Sequence, residues 1–228
     1  MTETGQHPAP VLLDVRGLSL TFGGLRALDG VDLTVAAGEI CGLVGPNGAG
    51  KTSLFNCVSG LYRPSAGTVL VDRTDVLRTA PHRLAGLGLA RTFQHPVLQP
   101  DATALANVLL GGLGIAELAG EPAGSLPYGA MKRVELARAL LAHPRLLLLD
   151  ELASGLVHEE VHALGEVIRR LRSERDVSVL LVEHHMGLVA AICDKVVVLV
   201  QGRKVAEGSA AEIQRDPVVV EAYLGSAA

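Results

Sequence analysis

Aromatic residues, cysteine and net charge are all scarce in this sequence of 228 residues. Tryptophan is absent and aromatic residues make up only 3% of the chain, whereas hydrophobic residues make up 49%. The core must therefore be aliphatic, and a core rich in Val and Leu fits a sheet that is covered on both faces. The length suits one domain, or a core with a small additional lobe.

Three further absences exclude classes of protein. Cys41, Cys57 and Cys193 are odd in number and far apart, which indicates packing residues in a reducing compartment rather than a disulfide framework. The net charge is -4 with no basic stripe, so nucleic acid is not expected as a partner. No apolar run is long enough for a transmembrane helix, so any role at a membrane must go through a partner.

Residues 1–10 are polar, with two prolines and no apolar signal core, and predict a disordered tail.

Residues 45–52 form a complete G-x-x-x-x-G-K-[ST] phosphate loop between a predicted buried strand and a predicted helix. The glycines let backbone N–H groups point inward around an anion, and the helix N-terminus adds partial positive charge. Lys51 can reach the β- and γ-phosphates, and the Thr52 hydroxyl can ligate Mg²⁺. The residues predicted to bind the phosphates are Gly45, Pro46, Asn47, Gly48, Ala49, Gly50, Lys51, Thr52 and Ser53.

Two more strand ends carry polar side chains. Four leucines at residues 146–149 place Asp150 at the tip of a core strand, where ligands bind in α/β sheets. Beside a phosphate loop, Asp150 can hold Mg²⁺ directly or through water, and Glu151 can orient or deprotonate a hydrolytic water. His184 follows another apolar strand and can hydrogen-bond a γ-phosphate, the alternative being a surface or capping histidine.

Gln94 and Phe22 carry weaker signals. Gln94 ends a predicted strand at residues 87–93 and can reach Mg²⁺ or the attacking water, although a lone glutamine also suits a loop. Phe22 ends the first predicted strand and offers a face on which an adenine ring can stack, although a single aromatic also suits the core.

The order of the predicted elements indicates an α/β fold. The last third alternates strands and helices, which implies a mainly parallel sheet with right-handed crossovers, whereas residues 11–75 predict antiparallel strands with a bulge near Gly17. The predicted strands are 11–22, 27–35, 40–44, 68–71, 87–93, 145–150, 177–183, 196–200 and 203–207, and the predicted helices are 53–58, 103–110, 129–142, 157–173 and 186–192.

These motifs, in this order, resemble the ATP-binding subunits of ABC transporters over nearly the whole chain. The matching segments are Phe22 with the adenine-stacking aromatic, 45–52 with Walker A, Gln94 with the Q-loop, 126–130 with the signature sequence, 146–151 with Walker B and the catalytic glutamate, 154–156 with the D-loop and His184 with the switch histidine. Finer details at residues 91–95, 127–129, 182–184 and 222–225 are similar to the branched-chain amino acid importer ATPases. The lipopolysaccharide-export ATPases and a soluble ABC-type ATPase are the alternatives within the family.

The resemblance implies a P-loop NTPase core with an antiparallel β-subdomain and a shortened helical lobe at about residues 95–142, within one domain at 11–225. It implies ATP and Mg²⁺ as cofactors and ATP hydrolysis coupled to solute transport through separate membrane permeases. The implied partners are a second ATPase subunit and, indirectly, a solute-binding protein, at the cytoplasmic face of the membrane. In the family, two subunits bind head to tail, so Gly129 of the signature sequence approaches the nucleotide of the neighbouring subunit.

The residues that act across this interface depart from the family pattern. Pro127 has neither a hydroxyl nor an N–H where the family has a small residue, and Ala130 replaces a polar one. Val157 replaces the D-loop carboxylate, and Leu152 replaces a proline. We therefore hypothesise that the chain binds ATP and Mg²⁺ but completes a neighbouring site poorly, either as half of an asymmetric heterodimer or as a slow homodimer.

One motif points to another class of protein. Residues 158–162 read H-E-x-x-H on a predicted helix, the pattern in which two histidines bind zinc in metalloproteases. Glu166 or Glu174 could be imagined as the third ligand. The alternative is a solvent-facing helical turn after the D-loop, and a zinc hydrolase is the remote alternative function.

Overall fold

The computed structural model describes residues 9–92 and 119–224. Ten strands and six helices in this part of the chain are labelled in chain order. They are β1 Val11–Phe22, β2 Leu25–Ala36, β3 Ile40–Val44, α1 Lys51–Val58, β4 Ala66–Val71, β5 Thr74–Asp75, β6 Leu89–Arg91, α2 Tyr128–Leu140, β7 Leu146–Asp150, α3 His158–Arg175, β8 Ser178–Val182, α4 Met186–Ile192, β9 Lys195–Val200, β10 Arg203–Gly208, α5 Ala210–Ile213 and α6 Pro217–Leu224.

Two sheets organise the fold, and both follow the predicted α/β pattern. The larger has the strand order β10-β9-β3-β8-β7-β6, parallel throughout except for the edge strand β10. The smaller is antiparallel, with the order β2-β1-β4-β5. The pairing of β1 with β2 shifts register between Val15 and Leu18, around Gly17 with its φ of 57°, so the predicted bulge is confirmed.

The parallel sheet is buried on both faces because its strands are continuous apolar runs. Leu146 and Leu148 point into a core shared with β1, β2 and α1, which contains the buried aromatic Phe55. Leu147 and Leu149 point into a second core, which α2, α3 and α4 cover. This alternation is the period of a strand that is packed from both sides.

Several predicted boundaries change. The strand predicted at 87–93 is shorter, because Pro81–Leu87 forms a 3₁₀ helix that ends at Gly88 in the left-handed conformation, and β6 begins only at Leu89. Both C-terminal helices, α5 and α6, were missed. The helix predicted at 103–110 lies outside the described residues.

The bounds of the domain and of its lobe stay predictions. Residues 1–8 of the predicted tail and 95–118 of the predicted lobe lie outside the described residues. Pro10 belongs to the folded part, since its carbonyl accepts a hydrogen bond of 2.8 Å from the Ala37 N–H. Within residues 9–92 and 119–224, the helices are all too short or too polar to cross a membrane.

The phosphate loop between β3 and α1 is packed against two neighbouring backbone segments. Gly50 has φ of 102°, and a Cβ on it would lie 2.6 Å from the Ala27 carbonyl oxygen of β2. Gly202, in the turn between β9 and β10, approaches the same oxygen, and its N–H donates to the Ala49 carbonyl at 2.9 Å. The loop therefore requires glycine at position 50 for both its dihedral angle and its close approach.

We expect Gly50→Ala to destabilise the fold more than Gly48→Ala. Gly48 also has a positive φ, of 76°, but a Cβ there would meet open space. Gly48→Ala should therefore lower the free energy of unfolding by about 1–2 kcal/mol, the cost of a left-handed L-residue. Gly50→Ala must in addition push the loop away from β2. Urea denaturation of the two variants checks this, and equal losses would contradict it.

The start of α3 lacks a side-chain cap. Val157 is the N-cap residue, with φ of -77°, ψ of 162° and 62% exposure. Its N–H donates to the Glu160 carboxylate at 3.1 Å, which is one half of a capping box. The valine side chain has no atom that can accept a hydrogen bond in return, so the other half is missing.

We expect Val157→Asn to stabilise the protein by about 1 kcal/mol, because an asparagine at the N-cap accepts a hydrogen bond from the first helical turn. Asparagine is preferred to aspartate here because it adds no charge beside Glu159 and Glu160. Val157→Ala is the control and should bring no gain. The measurement is urea denaturation, and an asparagine variant no more stable than the alanine variant would refute the expectation.

Candidate functional site

The carboxyl ends of β3, β8 and β7 meet at one edge of the parallel sheet because these strands are neighbours. A cavity of about 580 Å³ opens there, above the phosphate loop. Its lining comprises Phe22, Leu25, Arg26, Ala27, Asn47, Gly48, Ala49, Gly50, Lys51, Thr52, Ser53, Glu151, His184 and Gln201. Ten of the predicted site residues are thus brought together around one space large enough for a nucleotide.

Lys51 is buried at the start of α1 and folds back over the loop. Its ammonium donates to the carbonyl oxygens of Gly45 at 2.6 Å and Pro46 at 3.0 Å. An ammonium has three donors, so one remains for a phosphate oxygen. Burial lowers the pKa of Lys51, whereas the nearby carboxylates of Glu151 and Asp150 act to raise it. The lysine therefore lies between the loop and the two acidic residues.

Glu151 and His184 form a pair across β7 and β8. Nε2 of His184 lies 2.8 Å from Oε1 of Glu151, and Nε2 donates when the glutamate is ionised. Glu151 has φ of 49°, a left-handed angle that is uncommon for glutamate, and its N–H donates to the Val182 carbonyl at 2.9 Å. The strained backbone turns the carboxylate over the strand end into the cavity.

Glu183 joins the two segments that carry this pair and was not predicted as a site residue. Its side chain is only 3% exposed and accepts hydrogen bonds from the N–H groups of Ala153 at 2.7 Å and His184 at 3.3 Å. Burial raises the pKa of Glu183, against which these backbone N–H groups act. The segment after Glu151 and the segment that carries His184 are thereby tied to one carboxylate.

Asp150 ends β7 as predicted, but it does not line the cavity. Its Oδ2 accepts a hydrogen bond of 2.7 Å from Arg91, the last residue of β6. The two side chains are only 9% and 8% exposed, so the ion pair is buried. Arg91 was not predicted as a site residue, because only the pairing of β6 with β7 brings it to Asp150.

Phe22 lies at the cavity, where the sequence predicted it. It is 46% exposed at the end of β1 and lines the cavity, so its ring is not a core aromatic. The edge of the Tyr62 ring meets it, with centroids 5.4 Å apart and planes at 80°. Arg26 and Gln201, which also line the cavity, were not predicted.

The start of the loop touches the C-terminal helix. Gly45 has φ of 151°, and a Cβ on it would lie 2.1 Å from the Leu199 carbonyl oxygen. Its backbone forms a hydrogen bond with Tyr223 of α6. Burial raises the pKa of Tyr223 above its ordinary value, and the hydrogen bond with Gly45 offsets only part of this rise. Gly45 and Pro46 support the cavity without lining it.

Gly129 lies away from this cavity. It lines a second space, of about 240 Å³, together with residues that include Leu156 and Glu160. A Cβ on Gly129 would lie 2.4 Å from Oε1 of Glu160, so a larger residue there would displace the Glu160 carboxylate. Pro127 is the N-cap of α2 and makes no side-chain capping bond. Gln94, the remaining predicted site residue, lies outside the described residues.

The H-E-x-x-H motif lies in the first turns of α3. Both of its histidines, His158 and His162, are exposed, and the His158 ring lies 6.4 Å from that of His185. In the part of the chain that the structure describes, histidine, cysteine, aspartate and glutamate side chains form no group of three that could hold a metal ion.

Comparison with known proteins gives matches over the same elements. The family model described as ABC transporter matches residues 28–154, more than half of the chain, and the model described as branched-chain amino acid ATP-binding cassette transporter matches residues 203–228. The high-affinity branched-chain amino acid transport ATP-binding protein BraF of Pseudomonas aeruginosa is 38% identical, over 95% of this chain and 98% of that protein. LivG of Escherichia coli, which has the same description, is 36% identical over the same shares.

Both alignments span 251 positions, more than the 228 residues of this chain, so these relatives contain residues that the chain lacks. Among solved structures, an ATP-binding cassette of an ABC transporter in its ADP conformation has a TM-score of 0.88 and 28% identity, covering 95% of this chain and 100% of that one. A nucleotide-free ATP-binding cassette from an ABC transporter has a TM-score of 0.87, also at 28% identity, covering 93% and 98%. The family model covers more than half of the chain and the relatives cover nearly all of it, so the chain belongs to the ABC transporter family.

Proposed function

We propose that this chain hydrolyses ATP for an importer of branched-chain amino acids or related amides. The observation that carries the hydrolytic step is the pair of Glu151 and His184 at the edge of the glycine-loop cavity. The amino acid substrate is supported by the names of BraF and LivG and by the C-terminal match at residues 203–228.

ATP binds along the length of the cavity. Its adenine stacks on Phe22, and its phosphates lie in the loop, where backbone N–H groups and the start of α1 stabilise negative charge. Lys51 donates its remaining hydrogen to a phosphate oxygen. The loop needs little rearrangement, because Ala27 and Gly202 already hold its backbone in place.

Hydrolysis uses Glu151 as the base. The carboxylate orients a water molecule toward the γ-phosphorus and accepts its proton as the new P–O bond forms and the bond to ADP breaks. Nε2 of His184 contacts Oε1 of the glutamate, and its single N–H can turn from the glutamate to the γ-phosphate when ATP is bound. Glu183 keeps the two segments at a fixed separation.

The residues present fit a Mg²⁺ ion. Mg²⁺ prefers oxygen ligands and is usually held by one or two carboxylates together with waters and the phosphates of the nucleotide. Thr52 supplies a hydroxyl and Asp150 a carboxylate near Lys51, and we propose Gln94 as a third ligand. When bound, Mg²⁺ neutralises charge on the β- and γ-phosphate oxygens.

A second ATPase subunit completes the site. Gly129 and residues 154–157 do not line the chain's own cavity, which supports contacts of these residues with the nucleotide of a neighbour. We further propose that the dimer binds membrane permease subunits at the cytoplasmic face, and that a solute-binding protein delivers the amino acid. The C-terminal match to the branched-chain family favours this function over lipopolysaccharide export or a soluble ATPase.

The function is tested with Glu151→Gln. ATP binding should persist, while turnover should fall by about 10²–10⁴, the usual contribution of a general base. Glu174→Gln, at an exposed glutamate of α3, is the control and should leave turnover unchanged. In proteoliposomes with the permease subunits, wild-type turnover should rise with a leucine-loaded binding protein. Unchanged turnover of Glu151→Gln would contradict the hydrolytic role, and no response to leucine would contradict the substrate.

Pro127 offers a direct test of the proposed weakness at the interface. It stands at the start of α2, next to Gly129, with φ of -53° and ψ of 149°, angles that serine also adopts. A serine there would add both an N–H and a hydroxyl near the neighbouring nucleotide, where a single missing donor typically costs about 10²–10³ in rate.

We therefore expect Pro127→Ser to raise kcat of the assembled dimer by about tenfold or more, given the rate that such a donor contributes. Pro127→Ala restores the N–H without the hydroxyl and should fall between the wild type and the serine variant. Steady-state ATPase assays at saturating ATP make the comparison. Three equal rates would show that Pro127 does not limit turnover.

A further inference from the structure

Arg91 makes more contacts than an ion pair with Asp150 requires. Its Nη2 donates to Asp150 at 2.7 Å, while its Nη1 donates to Oδ1 of Asn56 and Oγ of Ser59, both at 2.7 Å. The guanidinium also lies over the Phe55 ring, 5.6 Å from its centroid. One side chain thus joins the end of β6, the last turn of α1 and the end of β7.

The acceptor for Arg91 at the end of α1 is held in place by a hydrogen bond of its own. The Ser59 hydroxyl donates to the Phe55 carbonyl at 2.7 Å, which leaves its oxygen facing the guanidinium as an acceptor. A cation at the C-terminal end of a helix is also stabilised by the helix dipole. Because α1 begins at Lys51 in the phosphate loop, Arg91 connects Asp150 to the same rigid element that carries Thr52.

The described hydrogen bond to the Asp150 side chain falls on Oδ2, so Oδ1 is the oxygen that can face a metal ion or its water. A carboxylate held by a planar guanidinium with fixed neighbours has little freedom to rotate. Groups that orient a metal ligand in this way typically change metal affinity by about 10–100-fold when they are removed.

We propose that Arg91 is a positioning residue for Mg²⁺, which fixes the Asp150 carboxylate relative to α1 and so sets the affinity of the ATP-bound site for the ion. The inference rests on the proposed function, in which Asp150 holds the metal. Arg91 is not a catalytic residue, since it acts through Asp150 and lies outside the cavity lining.

The experiment titrates Mg²⁺ into the full-length protein with a fluorescent ATP analogue, starting from EDTA. For Arg91→Met, the Mg²⁺ concentration at half of the full change should rise by about 10–100-fold, while binding of the analogue in EDTA stays within about twofold of the wild type. Arg91→Lys keeps the charge but replaces the planar fork, whose two Nη atoms reach Asp150 on one side and Asn56 and Ser59 on the other, with a compact ammonium, so it should show a large part of the same rise.

Two further variants keep the test decisive. Arg145→Met removes the guanidinium of an exposed pair with Asp72 and should leave the Mg²⁺ titration unchanged. The double variant Asn56→Ala, Ser59→Ala removes the anchor of Arg91 on α1 and keeps the ion pair, so the half-saturating Mg²⁺ concentration should rise several-fold. If Arg91→Met does not fold, this double variant decides by the same criterion.

A half-saturating concentration within about twofold of the wild type in the folded variants would overturn the inference, given the range expected for such groups. An equal loss of analogue binding in EDTA and in Mg²⁺ would also overturn it, because that result would indicate a merely structural role. If the wild type itself bound the analogue without any effect of Mg²⁺, the proposed function would fail together with the inference.

Discussion

The side-by-side order of β3, β8 and β7 is the constraint on which the site depends. Parallel neighbours end at the same edge of a sheet, so their following loops must meet there. Val182 pairs in register with both Leu43 and Asp150, which sets the three strand ends at one level. The phosphate loop, the acidic pair after β7 and His184 after β8 are therefore neighbours, although about 130 residues separate the first from the last.

Core packing protects this register. Leu147 and Leu149 face one core and Leu146 and Leu148 the other, so a slip of β7 by one residue would exchange the faces of every side chain. Such a slip would also move Asp150 away from Arg91 and leave a buried charge without its partner. Breaking a buried ion pair in this way typically costs roughly 3–5 kcal/mol. The position of the acidic residues is thus fixed by the same contacts that stabilise the sheet.

The sequence predicted those parts of the structure that local patterns determine. Buried strands such as β3 and β8 are short apolar runs between turn residues, and the phosphate loop has a spacing that few other structures share. Periodicity could not find α5, which has four residues and completes about one turn. Its capping box of Ser209 and Glu212 was the signal that could have revealed it.

Contacts between residues that are far apart in the sequence could not be predicted from local patterns. Arg91 and Asp150 are 59 residues apart, and nothing in either neighbourhood indicates the other. Their contact follows from the pairing of β6 with β7, in which Arg91 is opposite Leu148. The bracing role of Glu183 is hidden in the same way, because its partners are backbone groups of a different loop. Sequence thus located the groups that meet the nucleotide better than the groups that hold them.

The two unusual residues at the proposed interface share one structural feature. Pro127 and Val157 are the N-cap residues of α2 and α3, and neither side chain can accept a hydrogen bond from its helix. Glu160 compensates in part at α3, where it accepts the Val157 N–H and packs against Gly129. Both helices form without polar caps, so the fold tolerates these substitutions. What they remove is a polar group at a helix start, and a helix start is where a phosphate of a neighbouring nucleotide would be bound. The missing cap at Val157 costs the single chain only about 1 kcal/mol, so the larger consequence of Pro127 and Val157 is expected in the rate of the assembled dimer.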